Sequence, residues 1–366
     1  MTNLKKQAFS ALAATSLVLS LALPVSAAEM ELTVTGNGVD SDNTVKVENN
    51  QTQNVVQNNE AKIENNIDAN SSTGGNSASR NTGGDVKVDT GDADTTVNVS
   101  NSANTNVAEV DCCEAKDTTV TVSGNGDNSD NKVKLEQNSN TNLYQTNDAN
   151  IKNKIDANSK TGKNDADRNT GGDVKVITGD AITDVTVENA ANMNSAKIGG
   201  GQGAGTGGSV SAYITGNGVD SDNDIKLDLD KSVVLTQAND AWIGNFIDAD
   251  ASTGKNDANR NTGGYVKVDT GDATVNVGID NMANFNEADV DCGCLRDVTA
   301  KIAKNGDNSD NEIKAYLDDT KDVFQNNDGS LKNKVDADAD TGYNDADRNT
   351  SYDVSDPSVY TGYSKT

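Results

Sequence analysis

Apolar and polar residues alternate along this chain over unusually long runs. The clearest is Ala61, Ile63, Asn65, Ile67 and Ala69, which returns as Ala149, Ile151, Asn153, Ile155 and Ala157, and again as Ala241, Ile243, Asn245, Ile247 and Ala249. A fourth version reads Gly329, Leu331, Asn333, Val335 and Ala337. Period two is the mark of a strand with one buried face. A second run, Val97, Val99, Asn101 and Ala103, is matched by Val185, Val187, Asn189, Ala191 and by Val277, Ile279, Asn281, Ala283. Shorter pairs such as Val45/Val47 and Val86/Val88 also recur, and Gly36-Asn37-Gly38, Thr73-Gly74, Gly83-Gly84 and Thr90-Gly91-Asp92 supply turns between the runs. Helix signals are missing, so the pattern predicts an all-β chain.

The runs belong to a tandem repeat. A decapeptide at residues 73–82 returns at 161–170, 253–262 and 341–350, with starts 88, 92 and 88 residues apart. The expected organisation is an N-terminal leader (1–27), repeat unit 1 (28–120), unit 2 (121–198), a glycine-rich seam (199–209), unit 3 (210–300) and a shortened unit 4 with its cap (301–366). Two all-β arrangements compete. Separate sandwich domains would each place an aromatic residue in their core, yet between the leader and Tyr144 there is none. A thin core of Val, Ile, Ala and Thr fits a β-solenoid, the preferred reading, with a string of small sandwiches as the alternative. Asparagines that share the apolar parity, Asn65 and Asn101 among them, would then stack coil on coil as hydrogen-bonded ladders. Met193 and Phe285 read as core filling by the same parity.

Composition narrows the function. Lys5 and Lys6 precede an apolar run from Ala11 to Leu23 and small residues at 24–28, the form of a secretory signal too short to span a membrane. The expectation is a secreted protein, extracellular or at the cell surface, without membrane insertion. Acidic residues outnumber basic ones 57 to 30, a net charge of −27 that repels nucleic acid and attracts cations. Histidine is absent, which removes the commonest general base and transition-metal ligand. So polar a composition also suits a disordered chain. The long alternating runs argue against that.

The fragments Gln57-x-Asn59-x-Ala61-x-Ile63, Gln145-x-Asn147-x-Ala149-x-Ile151 and Gln237-x-Asn239-x-Ala241-x-Ile243, with Gly74, Asn76 and Ala78, resemble curlin repeats. That resemblance implies a β-solenoid with Asn/Gln ladders and a secreted subunit that polymerises into surface fibres. The units here are longer and more acidic than curlin repeats and carry cysteines, and a large negative charge opposes self-association.

Three sets of residues are candidate sites. Cys112, Cys113, Cys292 and Cys294 are expected to form disulfides in an exported chain. With roughly four coils per unit, about 38 Å would separate Cys112 from Cys292, beyond a disulfide's reach of about 7 Å, which leaves local or intermolecular bonds. Asp336, Asp338 and Asp340 with Asp345 and Asp347, and the second acidic turn of Asp40, Asp42, Asp220 and Asp222, place oxygen donors at alternate positions as calcium loops do. Backbone turn preference explains the same acidic residues without a metal. Trp242 and Phe246 take outward parity four residues apart, and Tyr265 replaces an aspartate, so a contact for a glycan or protein partner competes with simple cover for the seam. Arg80, Arg168, Arg260 and Arg348 read as turn residues paired with nearby carboxylates.

Taken together, the residues point to a non-enzymatic structural or adhesive surface protein, a candidate fibre subunit with itself or other surface proteins as partners. The alternative is a calcium-dependent binding module for glycan or protein. A polysaccharide-active β-helix enzyme is a third class, disfavoured because the acidic positions recur unit after unit as turn residues do.

Overall fold

The computed structural model describes residues 9–12, 17–21, 30–110, 117–199, 209–291, 297–351 and 357–366. Residues 200–208 of the seam and all four cysteines lie outside the described residues. The chain is an all-β tandem repeat in which every repeat-to-repeat pairing is parallel. Each repeat is one rung, and each rung lies on the next in register.

A rung has four main strands. An entry strand (Met30–Thr35 in the first rung) leads to a long strand (Asp42–Ser72) of 31 residues. The decapeptide follows, then a lobe strand (Val86–Asp89) and a return strand (Ala93–Val110). The equivalents in the later rungs include the long strands Asp130–Lys160, Asp222–Ser252 and Asp310–Asp340, each again 31 residues. Long strands pair without a slip, Asp42 with Asp130, Asp130 with Asp222 and Asp222 with Asp310. Return strands Ala181–Gly199 and Ala273–Asp291 continue the column begun by Ala93–Val110, and Phe9–Leu12 and Leu17–Leu21 pair on its outer edge. The same parity faces inward throughout the long strand, so one slipped residue would turn the whole buried set to solvent.

Within a rung the long and return strands run in opposite directions across a thin core. Ile155 and Ala157 pack with Val185 and Val187, while Val55 and Leu143 meet Ala108, Val110 and Ile198. The entry strand covers the start of the long strand through Val120, Val122, Val133 and Leu135. Ala166 and Ala258 of the decapeptide pack on Val174, Val176, Val266 and Val268 of the lobe.

Two expectations fail here. A repeat unit makes one coil, not four, because its strands pair with the neighbouring unit and not with one another. Val110 pairs with Ile198 and Ile198 with Val290, so the ends of the first and third return strands stand two rungs apart, about 10 Å, where four coils per unit would put about 38 Å. Met193 and Phe285 are outward and exposed. The reason is a left-handed asparagine in each return strand, Asn104, Asn192 and Asn284, which exchanges the two faces beyond it. Their amides donate to the carbonyls of Asp148, Asp240 and Asp328.

Candidate functional site: amide and charge ladders

In-register stacking converts every recurring residue into a column with a spacing of about 4.8 Å. Inside, the columns are amides. Asn65 donates to Asn153, Asn153 to Asn245 and Asn245 to Asn333, at 2.7, 2.7 and 2.8 Å. Facing them, Asn101 donates to Asn189 and Asn189 to Asn281, both at 2.7 Å. The two columns are tied together by Asn65 to Asn101 (2.9 Å), Asn101 to Asn153 (3.0 Å) and Asn153 to Asn189 (3.1 Å). A second double ladder joins Asn106, Asn147, Asn194, Asn239, Asn286 and Asn327. Gln57, Gln145, Gln237 and Gln325 form a single ladder beside it. The stacking of Asn65 and Asn101 expected from parity is present, and cross-linking between facing strands is an addition that the sequence does not announce.

The decapeptide is built by the same rule. Asn164 donates to Thr161 of its own turn and to Asn256 of the next rung, both at 2.8 Å. Gly74 stands where any Cβ would overlap the carbonyl of Gly162 above it, and Gly162 is in the same position against Gly254. Arg80, Arg168, Arg260 and Arg348 take left-handed backbone conformations with φ of 65, 57, 57 and 55°. Arg348 pairs with Asp347 at 3.2 Å. Among the described residues no carboxylate lies within ion-pair distance of Arg80, Arg168 or Arg260, which corrects the expectation that each arginine pins its own turn.

Outside, the columns carry charge. Asp336 tops a column of Asp68, Asp156 and Asp248, and Asp338 tops Asn70, Asn158 and Asp250. Asp340 follows Ser72, Lys160 and Ser252, and accepts a hydrogen bond from the Gly342 amide at 2.8 Å. Asp345 stacks on Asp257 and Asp165. Asp40 and Asp220 are left-handed and accept from Asn128 and Asn308 at 2.6 and 2.5 Å. Asp42 and Asp222 join Asp130 and Asp310 in a column lining an open groove with Asp224 and Glu312, where one Asp224 oxygen is shut from solvent without a hydrogen-bond partner. Among the described residues no three of these carboxylates converge as a metal's ligand set.

Crowding shows in the acidities. Burial, then the charge and hydrogen bonding of Asp167 and the charges of Asp345 and Asp165, push Asp257 up to about 6. Burial and the charges of Asp248, Asp338 and Asp156 also raise Asp250, with Lys160 opposing. Lysines are relieved differently, by carboxylates two residues away on the same face: Lys87 with Asp89, Lys134 with Glu136 and Lys267 with Asp269, at 2.5, 2.5 and 2.6 Å.

The aromatic trio is split. Trp242 and Phe246 do share the outward face, but they are half-buried and close over Gly244, where a Cβ would strike both rings. Lys332 of the next rung lies 5.5 Å from the Phe246 ring centre. Tyr265 stands apart on the lobe, its hydroxyl bonded to Ser358.

No protein-family model, no curated protein and no solved structure matches the chain.

Proposed function

We propose that this is a secreted, non-enzymatic structural or adhesive protein of the cell surface, a fibre subunit that grows by adding rungs end to end. One observation carries the reading. Asparagine ladders donate from each rung to the next, and at the fourth rung the amide NH₂ groups of Asn327 and Asn333 donate to nothing among the described residues. In the same register on the first rung, the amide oxygens of Asn59 and Asn65 accept nothing from the described residues. Donor end and acceptor end are thus complementary, and the outer edge of Asp310–Asp340 is a long exposed strand of the kind that pairs with another chain. The likeness to curlin repeats supports the same reading.

Negative-stain microscopy of the chain from Ala28 onward tests it. Filaments of variable length are expected, shortened when Asn327→Asp and Asn333→Asp remove the donors. Discrete rods of one length would sink the fibre reading and leave a binding rod.

The orphan oxygen of Asp224 beside the Asp42, Asp130, Asp222 and Asp310 column favours a second reading, a calcium-dependent binding module. Calcium would then raise the melting temperature and a chelator reverse it, whereas an unchanged transition removes this reading.

A further inference from the structure

Among the described residues the arginine column has one ion-pair partner, Asp347 beside Arg348. A left-handed conformation is costly for a side-chain-bearing residue, and glycine would avoid the cost. Arg80, Arg168, Arg260 and Arg348 adopt it in all four rungs, with every side chain exposed. Among the described residues three of the four find no carboxylate partner, although acidic residues outnumber basic ones almost two to one. Stacking also sets residues of like charge in a column on backbone positions about 4.8 Å apart, where they repel one another. Backbone strain kept in every rung without local return is a pointer to an external partner.

The complementary column lies on the long strands. Asp68, Asp156, Asp248 and Asp336 are all exposed and none has an ion-pair partner among the described residues. Beside them Asp250 is pushed toward protonation by burial first and then by the charges of Asp248, Asp338 and Asp156, with Lys160 opposing. Carboxylates here and guanidiniums on the decapeptide have the same repeat distance because one hydrogen-bonded lattice sets both. Arginine's planar fork suits paired carboxylate oxygens.

We infer that Arg80, Arg168, Arg260 and Arg348 form a docking column for the Asp68, Asp156, Asp248 and Asp336 column of a second copy, joining rods side by side. Two aligned rods make four ion pairs at once, and no adjustment of either backbone is needed for the charges to match. The contact acts at right angles to end-to-end growth, so it goes beyond the fibre reading and does not depend on it.

Ionic strength gives the contact a signature. Each copy carries a net charge of −27, so at low salt long-range repulsion keeps copies apart. Near 0.15 M the screening length falls to about 8 Å, which mutes that repulsion and spares pairs in contact. At 1 M it is about 3 Å and the exposed pairs weaken too. Pairing is therefore strongest at intermediate salt.

Sedimentation velocity and small-angle scattering of the full chain at about 0.01, 0.15 and 1 M NaCl test this. A doubled cross-section at the middle concentration alone is the expected result, and rod length reports end-to-end growth separately. Replacing all four arginines with glycine should weaken pairing at least tenfold without lowering the melting temperature, since glycine relaxes the left-handed corners. Asp→Asn at 68, 156, 248 and 336 should weaken it equally. Rods that stay single at every salt concentration, association that climbs steadily with salt, or arginine-free variants that still pair would overturn the inference. So would polygalacturonate binding to the arginine column of rods that never pair, which would assign the column to an acidic polysaccharide.

Discussion

At the scale of single residues, buried amides take the place that large apolar side chains hold in most cores. Asn153 is fully buried and bonds to Asn65, Asn101, Asn189 and Asn245. Deleting it strands four partners in an interior with little water, and an unmet buried polar group costs about 1–3 kcal/mol. Asn153→Ala should therefore lower unfolding free energy by about 2–4 kcal/mol in a denaturant titration, more than the apolar Ile155→Val, at about 1 kcal/mol. Asp257 illustrates the opposite kind of residue, one whose charge opposes folding. Its folded pKa of about 6 lies above the ordinary 3.8. Its stabilising contribution is therefore complete below pH of about 4 and disappears as the pH rises through about 6. Asp257→Asn should raise stability at pH 7.5 by on the order of 1 kcal/mol, allowing for solvent screening, and change little at pH 3.5. Equal gains at both pH values would show that the residue does not titrate in this way.

The decapeptide is the element whose geometry is least forgiving. Its threonine, glycine, two asparagines and alanine face the neighbouring rungs, while the intervening positions face solvent. Gly162 has backbone above it at a distance that leaves no room for a methyl group. Gly162→Ala must push two rungs apart, and a loss of about 3 kcal/mol or more is expected from strain and broken stacking bonds. Hydrogen exchange over 161–170 should speed up in that variant before the long strands change. Gly278 offers the control, because nothing lies within 4 Å of its missing Cβ. Gly278→Ala should be neutral or slightly stabilising.

For the whole molecule the decisive fact is that its contacts join residues about ninety positions apart. Parallel pairing over such separations forms slowly, because loop closure precedes any gain from contact. Stability is also uneven along the rod. The second and third rungs have neighbours on both sides, and their long strands bury Leu135, Ile151, Ile155, Ile225, Leu227 and Leu235 completely. On the fourth, Ile313, Leu317, Val323 and Leu331 are exposed. Hydrogen exchange should show strongest protection at 130–160 and 222–252 and weakest at 310–340. If rods add end to end, protection at 310–340 should rise with protein concentration.

How much of this was legible beforehand divides along the range of the interactions. Alternation of Ala61, Ile63, Asn65 and Ile67 is a local pattern, and it determined the strand and which of its residues, Asn65 included, share the buried face, since successive side chains on a strand must take opposite faces. The repeat spacing likewise determined the unit that recurs. Which strand becomes whose neighbour was decided only by the tertiary structure. A ninety-residue unit folded into four coils or laid out as one rung has the same alternation, and only the pairing of Asp42 with Asp130 separates the two. The left-handed turn at Asn104 was hidden for a related reason: one backbone dihedral reverses the meaning of parity beyond it, so Met193 and Phe285 read inward and lie outward. Charge is the same case at larger scale. Sequence supplied the arginines and aspartates, but their alignment into columns of equal period exists only once the rungs are stacked.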